Sequence, residues 1–397
     1  MNENEFTLIA KTFAGLEETL AAELTALGAK DALPITRAVS FTANQEIMYR
    51  ANLEARTAIK ILKPIAEFTV RDERDLYGRV GNVDWTKLVS PDGTISVESF
   101  IKDSPFNHAN YVALKTKDAI VDQLRARTGA RPSVDAENPD LLINAHVRGE
   151  RVTLSLDSSG RSLHMRGWRV GQTEASLSEV LAAGMIQLAG YKGEEPFFDP
   201  MCGSGTLAIE AALLSANIPP GVFRKNFGFF SWHDFDPKLW KSVKARALSK
   251  IIDLKAPIYA YDSARESVDI ARKNIQSARL EGLINLEQMQ FEGEGPAPEH
   301  DSGIMIMNPP FGERLKVEQI EEFYKTIGDT LKKRYSGWTA WILTSNLEAA
   351  KKIGLHASRN IKLFNGKLEC KFMRYNLYKG SLKQKSAQPD KELNDLQ

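Results

Sequence analysis

Cysteine is nearly absent from this chain: Cys202 and Cys370 are the only two in 397 residues, with no CxxC pair and no His/Cys cluster. That scarcity excludes a disulfide framework and a structural zinc site of the usual spacing, and it fits reducing surroundings. Long apolar runs are also missing; none approaches the roughly 18 residues that span a bilayer. Met1 to Glu5 is polar where a secretory signal would be basic and then apolar, so a cytoplasmic location with no membrane and no metal is expected. A net excess of charge is lacking too, with 52 Lys+Arg against 51 Asp+Glu. The distribution is uneven, however. Arg359, Lys362, Lys367, Lys371, Arg374, Lys379, Lys383 and Lys385 face a single acid, Glu369, giving a local basic surface that either binds phosphate or solvates a terminal strand and tail.

What is present is mixed α and β patterning in two styles. From Phe6 to about Asp157, short β-like runs at Phe6 to Ala10, Val39 to Thr42, Ile59 to Phe68, Thr94 to Phe100, Leu141 to Val147 and Val152 to Leu156 alternate with amphipathic helices. The helices fall near Leu16 to Leu27, Glu46 to Ala55 and Tyr111 to Arg127, and Arg131 to Asp140 reads as a surface loop. This half shows no glycine-rich phosphate loop and is α+β in class. Asp157 to Arg169 follows, polar and basic with one aromatic. In it His164, Arg166, Trp168 and Arg169 are candidates for contact with phosphate and base, or for a linker with Trp168 buried.

After a helix at Ala175 to Ala189, strand and helix alternate regularly through Pro196 to Phe198, Thr206 to Ala216, Ile258 to Tyr261, Ala264 to Arg279, Ile284 to Phe291, Gly303 to Met307, Val317 to Tyr335 and Trp338 to Thr344. That alternation predicts a parallel sheet. Two further strand-like runs, Ile361 to Phe364 and Leu368 to Tyr378, flank Asn365-Gly366, the dipeptide favoured in two-residue type I′ hairpins, so an antiparallel pair closes the sheet. From Gly380 onward the chain is polar without periodicity and reads as disordered.

The chemistry concentrates at three strand ends. Phe197-Phe198-Asp199 runs into Pro200-Met201-Cys202-Gly203-Ser204-Gly205-Thr206 and then a helix, so the turn glycines let backbone approach a nucleotide-like ligand at the carboxyl end of a strand. The loop lacks a P-loop lysine, and phosphate binding is not required of it. Ile258 to Tyr261 ends in Asp262, placed to accept from ribose hydroxyls or to cap the next helix. Glu292, after the third strand, is either a contact to adenine or an exposed loop acid. The discriminating element is Ile304-Met305-Ile306-Met307-Asn308-Pro309-Pro310-Phe311: a buried strand, an amide, two residues without N–H donors and an aromatic. Methylating an exocyclic amine requires its lone pair to be freed from ring conjugation, and hydrogen-bond acceptors suffice. The Asn308 side-chain oxygen and the Pro309 carbonyl can take the two amino hydrogens, and Phe311 can stack on the extruded base.

Asp199 to Thr206, Asp262 and Asn308 to Leu315 resemble the cofactor loop, ribose acid and amino-methylation motif of Rossmann-like class I methyltransferases. Asp-Pro-Met-Cys-Gly-Ser-Gly-Thr and Asn-Pro-Pro-Phe-Gly-Glu-Arg-Leu are similar to the THUMP-domain RNA guanine-N2 methyltransferases acting on large-subunit ribosomal RNA. The resemblance implies an N-terminal ferredoxin-like segment at 1–60, a THUMP-like RNA-binding domain at 61–160, a linker at 161–175, a Rossmann-like methyltransferase domain at 176–380 and a tail at 381–397. It implies S-adenosyl-L-methionine as cofactor, held by Asp199, Pro200, Cys202, Gly203, Gly205, Thr206 and Asp262, with Asn308, Pro309, Pro310 and Phe311 as catalytic loop. RNA, ribosomal or in a pre-ribosomal particle, is the implied partner. Arg166-Gly167-Trp168-Arg169 resembles a junction common in that family, whereas Phe311 departs from the commoner Tyr and loses a hydroxyl. One methyltransferase domain, hence one reaction, is expected.

Rival chemistries are weighed by their requirements. A carbon-5 pyrimidine methyltransferase needs a cysteine near its target loop, whereas Cys202 and Cys370 read as small buried side chains. Adenine-N6 methylation of DNA or RNA, guanine-N2 methylation of transfer RNA, glutamine methylation and an inert RNA-binding assembly factor are the alternatives. Asn217 to Lys255 interleaves seven aromatics, among them Phe229 and Trp232, with Arg224, Lys225, Lys238 and Lys241. Base stacking and packing on the sheet are its two readings.

Overall fold

The computed structural model describes residues 5–90, 92–173, 176–293, 300–311 and 317–378. The basic residues Lys379, Lys383 and Lys385, the expected disordered tail and the Gly312 to Leu315 part of the motif lie outside those residues. The chain divides into two compact units, the first comprising 1–169, 178–184 and 217–252, the second 170–177, 185–216 and 253–397.

The first unit carries an eight-stranded sheet. Its strands are β1 (Phe6–Lys11), β2 (Lys30–Ile35), β3 (Ala38–Ala43), β4 (Lys60–Thr69), β5 (Thr94–Lys102), β6 (Ser133–Val134), β7 (Leu141–Arg148) and β8 (Arg151–Asp157), in the order β2-β3-β1-β4-β8-β7-β5-β6. Helices α1 (Glu17–Ala26), α2 (Gln45–Glu54), α3 (Glu73–Gly81) and α4 (Ala109–Thr128) accompany it. Local chemistry sets their ends: Asn44 caps α2 by accepting from Ile47 N at 3.0 Å, and Asp72 caps α3 through Arg74 N and Asp75 N. Strand β2 and helix α3 escape the sequence pattern. Strand β2 includes Pro34 and a register shift and keeps four of its six residues exposed, while α3 contains two glycines that lower helical propensity.

The aromatic segment 217–252 packs within this first unit. Its helix α7 (Pro237–Leu248; α5 and α6 are described below) has Asp236 as cap and Pro237 in the first turn. Phe227, Phe229 and Trp232 join the first unit's core, with Tyr49 stacked on Phe229 at 4.4 Å. Phe229 is 0% and Trp232 5% exposed, so the base-stacking reading of these rings is overturned: they are packing groups.

In the second unit β9 (Phe197–Asp199), β10 (Ile258–Asp262), β11 (Ile284–Gln288), β12 (Ile304–Met307), β13 (Thr339–Thr344), β14 (Arg359–Asn365) and β15 (Leu368–Asn376) form one sheet in the order β11-β10-β9-β12-β13-β15-β14. The first five strands are mutually parallel and β15 is antiparallel to β13 and β14. Helices α6 (Thr206–Ser215), α8 (Arg265–Ser277), α9 (Val317–Arg334) and α10 (Leu347–Lys351) supply the crossovers and flanks, while α5 (Glu179–Leu188) begins in the first unit and ends in the second. Strand β12 reads IMIM and is buried at every residue, as expected of a central parallel strand covered on both faces. The hairpin forms as the sequence predicts, but its two-residue loop is Gly366-Lys367, because Asn365 still pairs with Leu368. Gly366 has φ +63° and Lys367 is not among the positive-φ residues, so the turn is not the type I′ expected, which needs positive φ at both positions.

Candidate active site

Strand order reverses between β9 and β12, and in open α/β sheets such a switch opens a crevice at the carboxyl ends of the strands. A cavity of about 320 Å³ lies there, lined among others by Asp199, Cys202, Gly203, Thr206, Asp262 and Asn308 to Phe311. Of the residues singled out from sequence, Pro200, Gly205 and Glu292 are not among its lining; Pro200 is buried and Glu292 exposed.

The loop after β9 is built by backbone bonds. Cys202 N donates to Tyr261 O at 2.8 Å and Gly205 N to Cys202 O at 2.7 Å, while Gly203 and Gly205 adopt φ of +53° and +81°. A Cβ at Gly205 would lie 3.2 Å from Ala271 Cβ, so this glycine lets α6 start against α8. Asp262 ties the loop to the next strand: one carboxylate oxygen accepts from Gly203 N at 2.9 Å and the other from Ala264 N at 2.9 Å. It thus closes the turn before α8 but does not cap that helix, whose N-cap is Ala264 with no side-chain capping bond, and each oxygen retains a lone pair for a ligand hydroxyl.

Asp199 is 0% exposed. Burial pushes its carboxyl well above the usual carboxylate range; the Met201 N–H partly opposes this and the neighbouring Asp262 reinforces it. One of its oxygens is buried without a hydrogen-bond partner. A buried acceptor left unpaired costs about 1–3 kcal/mol, which marks a place kept for a ligand donor. Cys202 is buried as well, and burial raises its thiol well above its ordinary value, which suits a packing role and not a nucleophile.

Asn308, at the end of β12, presents a second orphan: its side-chain oxygen is buried without a partner. The loop that follows is held from behind. Tyr324 Oη donates to Pro310 O at 3.4 Å and shares a 2.7 Å hydrogen bond with Thr344 Oγ1, and Asn346 Nδ2 donates to Phe311 O at 3.1 Å. Burial pushes the Tyr324 phenol up to about 12, so it stays a donor at neutral pH. The supporting groups engage the carbonyls of 310 and 311, whereas the Asn308 side-chain oxygen has no hydrogen-bond partner and its residue lines the cavity.

Sequence reasoning missed this support, and it missed Asn274. That side chain, fully buried in α8, accepts from Val170 N at 2.9 Å and Gly171 N at 3.1 Å and donates to Gly171 O and Ser204 O, both at 2.9 Å. A signal existed: Asn274 falls in the buried stripe of Val268, Ala271 and Ile275, where a polar residue must find partners.

The junction residues are placed otherwise than expected. Trp168 is 0% and Arg166 1% exposed; the Arg166 guanidinium donates to the carbonyls of Leu163 and Arg56. Direct RNA contact by Arg166 and Trp168 is incompatible with that burial, which makes them structural members of the first unit. Arg169 pairs with Glu179 at 2.6 Å, and His164, half-buried, bonds Ser162 Oγ at 2.7 Å. Among the described residues no cluster of His, Cys, Asp or Glu could hold a metal ion, and no helix is long and apolar enough to cross a membrane.

A seven-stranded sheet with one antiparallel strand, a Gly-x-Gly loop, a strand-end acid and an Asn-Pro-Pro-Phe loop at one switch point define a class I methyltransferase. The chain matches the RMKL-like methyltransferase domain over residues 166–374, the THUMP domain over 70–157 and the RlmL ferredoxin-like domain over 7–62. It is 41% identical over 367 residues to slr0064 of Synechocystis sp., assigned as an RNA methyltransferase, covering 92% of this chain and 95% of that protein. It is 38% identical over 374 residues to the ribosomal RNA large subunit methyltransferase K/L of Syntrophotalea carbinolica, with 91% of this chain matched to 52% of that protein. The chain therefore spans about half the length of the K/L relatives it matches. Among solved structures, SMU.472, a methyltransferase complexed with SAH, aligns with a TM-score of 0.86 at 30% identity over 96% of this chain and all of that one. A methylase from Clostridium difficile 630 aligns at 0.85 and 30%, covering 95% and 99%. The chain belongs to the RMKL-like methyltransferase family.

Proposed function

We propose that this protein transfers a methyl group from S-adenosyl-L-methionine to the exocyclic N2 of a guanine in large-subunit ribosomal RNA. The observation that carries the reading is the buried, unpartnered side-chain oxygen of Asn308 at the end of β12, a residue that lines the same cavity as Asp199, Gly203 and Asp262. The donor fits what the site offers. An orphaned Asp199 oxygen can accept from a cationic or amino donor, Asp262 from ribose hydroxyls, and the backbone at Gly203 lets a ligand approach closely; the volume is at the lower end for small-molecule sites. When bound, the donor supplies an electrophilic methyl group on a sulfonium sulfur.

The chain's own residues do the rest. The Asn308 oxygen and the Pro309 carbonyl accept the two amino hydrogens, drawing the nitrogen toward tetrahedral geometry and localising its lone pair. No strong base is needed, because the amine becomes acidic once alkylated and can release its proton to these acceptors or to water. Phe311 supplies a flat apolar face for the base, and Tyr324, Thr344 and Asn346 hold its loop before substrate arrives. The THUMP match and the relatives named for RNA support an RNA substrate, and the similarity of Asp199–Thr206 and Asn308–Phe311 to guanine-N2 enzymes supports guanine.

The same acceptor pair serves adenine N6, the amine named for a Listeria monocytogenes methylase structure of TM-score 0.83 and 27% identity. Labelled donor offered with ribosomal RNA, transfer RNA, DNA and peptide separates the readings. Transfer to ribosomal RNA yielding N2-methylguanosine on nuclease digestion is the expected result; transfer to no RNA refutes the proposal.

A further inference from the structure

Outside the active-site cavity, one exposed aromatic is paired in an unusual way. Phe100, on β5, is 54% exposed and stacks on His146 of the neighbouring β7, with ring centroids 5.4 Å apart and planes 16° apart. The two are directly opposite in the parallel ladder, and so are Lys102 and Arg148 two residues further on; Arg148 is in turn opposite Arg151 of β8. Alternation along a strand puts Phe100 with Lys102, and His146 with Arg148, on one face, about 6.6 Å apart along the chain.

The other face is spoken for. Helix α4 packs on β5 and β7 there, Ser99 Oγ donates to Ala109 O, and Ile143, Ala145 and Val147 are buried. The open face therefore carries a flat ring pair bordered by cations. Two of its nearby acids are already engaged, Glu98 with Lys60 at 2.6 Å and Glu67 with Arg151 at 2.9 Å. Lys102 and Arg148 are exposed and form no ion pair among the described residues. Burial, with Lys11 and Arg148 nearby, holds the His146 imidazole below its ordinary value, so at neutral pH it is an uncharged stacking partner.

We propose that the Phe100–His146 pair is a stacking platform for an unpaired base of the RNA substrate, with Lys102 and Arg148 meeting the adjoining phosphates. The proposal rests on the RNA reading above and adds where on the chain a single-stranded segment is gripped. Exposed aromatics on a sheet face with flanking cations are a recurrent way of holding unpaired nucleotides, since every base has a π face and cations recover the backbone charge. A duplex, whose bases are already stacked, offers this pair no such contact.

The test measures binding of the full chain to fluorescent oligouridylate and to a fully paired RNA, beside methyl transfer to ribosomal RNA. Phe100→Ala is expected to weaken oligouridylate binding roughly five- to a hundredfold while Phe100→Tyr retains it, and duplex binding changes little. Lys102→Glu and Arg148→Glu should each lower the salt dependence by about one charge. Because Phe100 is exposed, thermal stability should hold, and the KM for ribosomal RNA should rise with kcat kept. If wild type methylates RNA and Phe100→Ala binds oligouridylate as wild type does, the platform is overturned and the RNA reading stands. If wild type neither binds nor methylates any RNA, both fall. A concentration-dependent dimer that Phe100→Ala dissolves, with RNA affinity unchanged, would assign the face to a second copy and overturn the proposal.

Discussion

Asn274 offers the sharpest stability test of how the donor loop is held. Its single amide joins three separate segments: α8, the chain at Val170-Gly171, and the Ser204 carbonyl within the Gly-x-Gly loop. Asn274→Ala removes four hydrogen bonds, one of them, to Ser204 O, fully buried and the three to Val170 and Gly171 part-buried. Each bond has a net worth of about 0.5–1.5 kcal/mol, and neighbours sharing one amide are not additive, so a loss of about 2–4 kcal/mol is expected. Against a typical total of about 5–15 kcal/mol this is a large fraction. Asn274→Asp keeps both accepted bonds but turns the donating edge into an oxygen facing two carbonyls. A carboxyl there would be held protonated by burial, so this variant should approach wild type in acid and lose stability as pH rises. The assay is thermal unfolding across pH together with titration calorimetry of S-adenosylmethionine. Donor affinity should fall in both variants, because the Ser204 backbone is released. An Asn274→Ala protein with wild-type melting and wild-type donor affinity would refute this account of the loop.

Two further outcomes follow from the same geometry. Asn346→Ala should lower kcat by tenfold or more, with donor affinity nearly unchanged, because it frees the Phe311 carbonyl without touching the Gly-x-Gly loop; single-turnover methyl transfer beside calorimetry checks it, and an unchanged kcat would contradict it. Asp199→Asn should weaken donor binding yet stabilise the free protein near neutrality. Burial raises the folded-state pKa of Asp199 above the unfolded value of about 3.9, so the wild-type contribution is fully present below that value and is lost as pH rises toward the folded pKa. The melting advantage of the variant should therefore vanish in strong acid and grow on the way to neutral pH; a constant difference would mean the carboxyl titrates normally.

Much of the second unit was legible because parallel-sheet strands are short, apolar and evenly interrupted by amphipathic helices. The three strand-end residues Asp199, Asp262 and Asn308 converge on one cavity as their order along the chain suggests. What the sequence concealed is what depends on partners distant in sequence. Asn274, Tyr324, Thr344 and Asn346 look like ordinary helix and turn residues until the fold places acceptors beside them. The aromatic segment at 217–252 shows the converse. Composition allowed base stacking beside the favoured reading of packing, and burial of Phe229 and Trp232 in the first unit's core decides for packing. Arg166 and Trp168 failed as RNA contacts for the same reason: a side chain's charge or ring says nothing of which way it faces. The turn at Gly366-Lys367 differs from expectation by one residue of register, a displacement that local dipeptide preference does not fix.

The central claim is that Asn308, through its unpartnered oxygen, activates an exocyclic amine rather than holding the donor. Methyl transfer by Asn308→Ala to ribosomal RNA, measured in a single turnover beside calorimetric donor affinity, tests it most directly. Transfer should fall by at least about a hundredfold, in line with loss of one preorganised acceptor at the reacting atom, with S-adenosylmethionine affinity within about threefold of wild type. Transfer near the wild-type rate, or loss of activity explained entirely by lost donor binding, would contradict it.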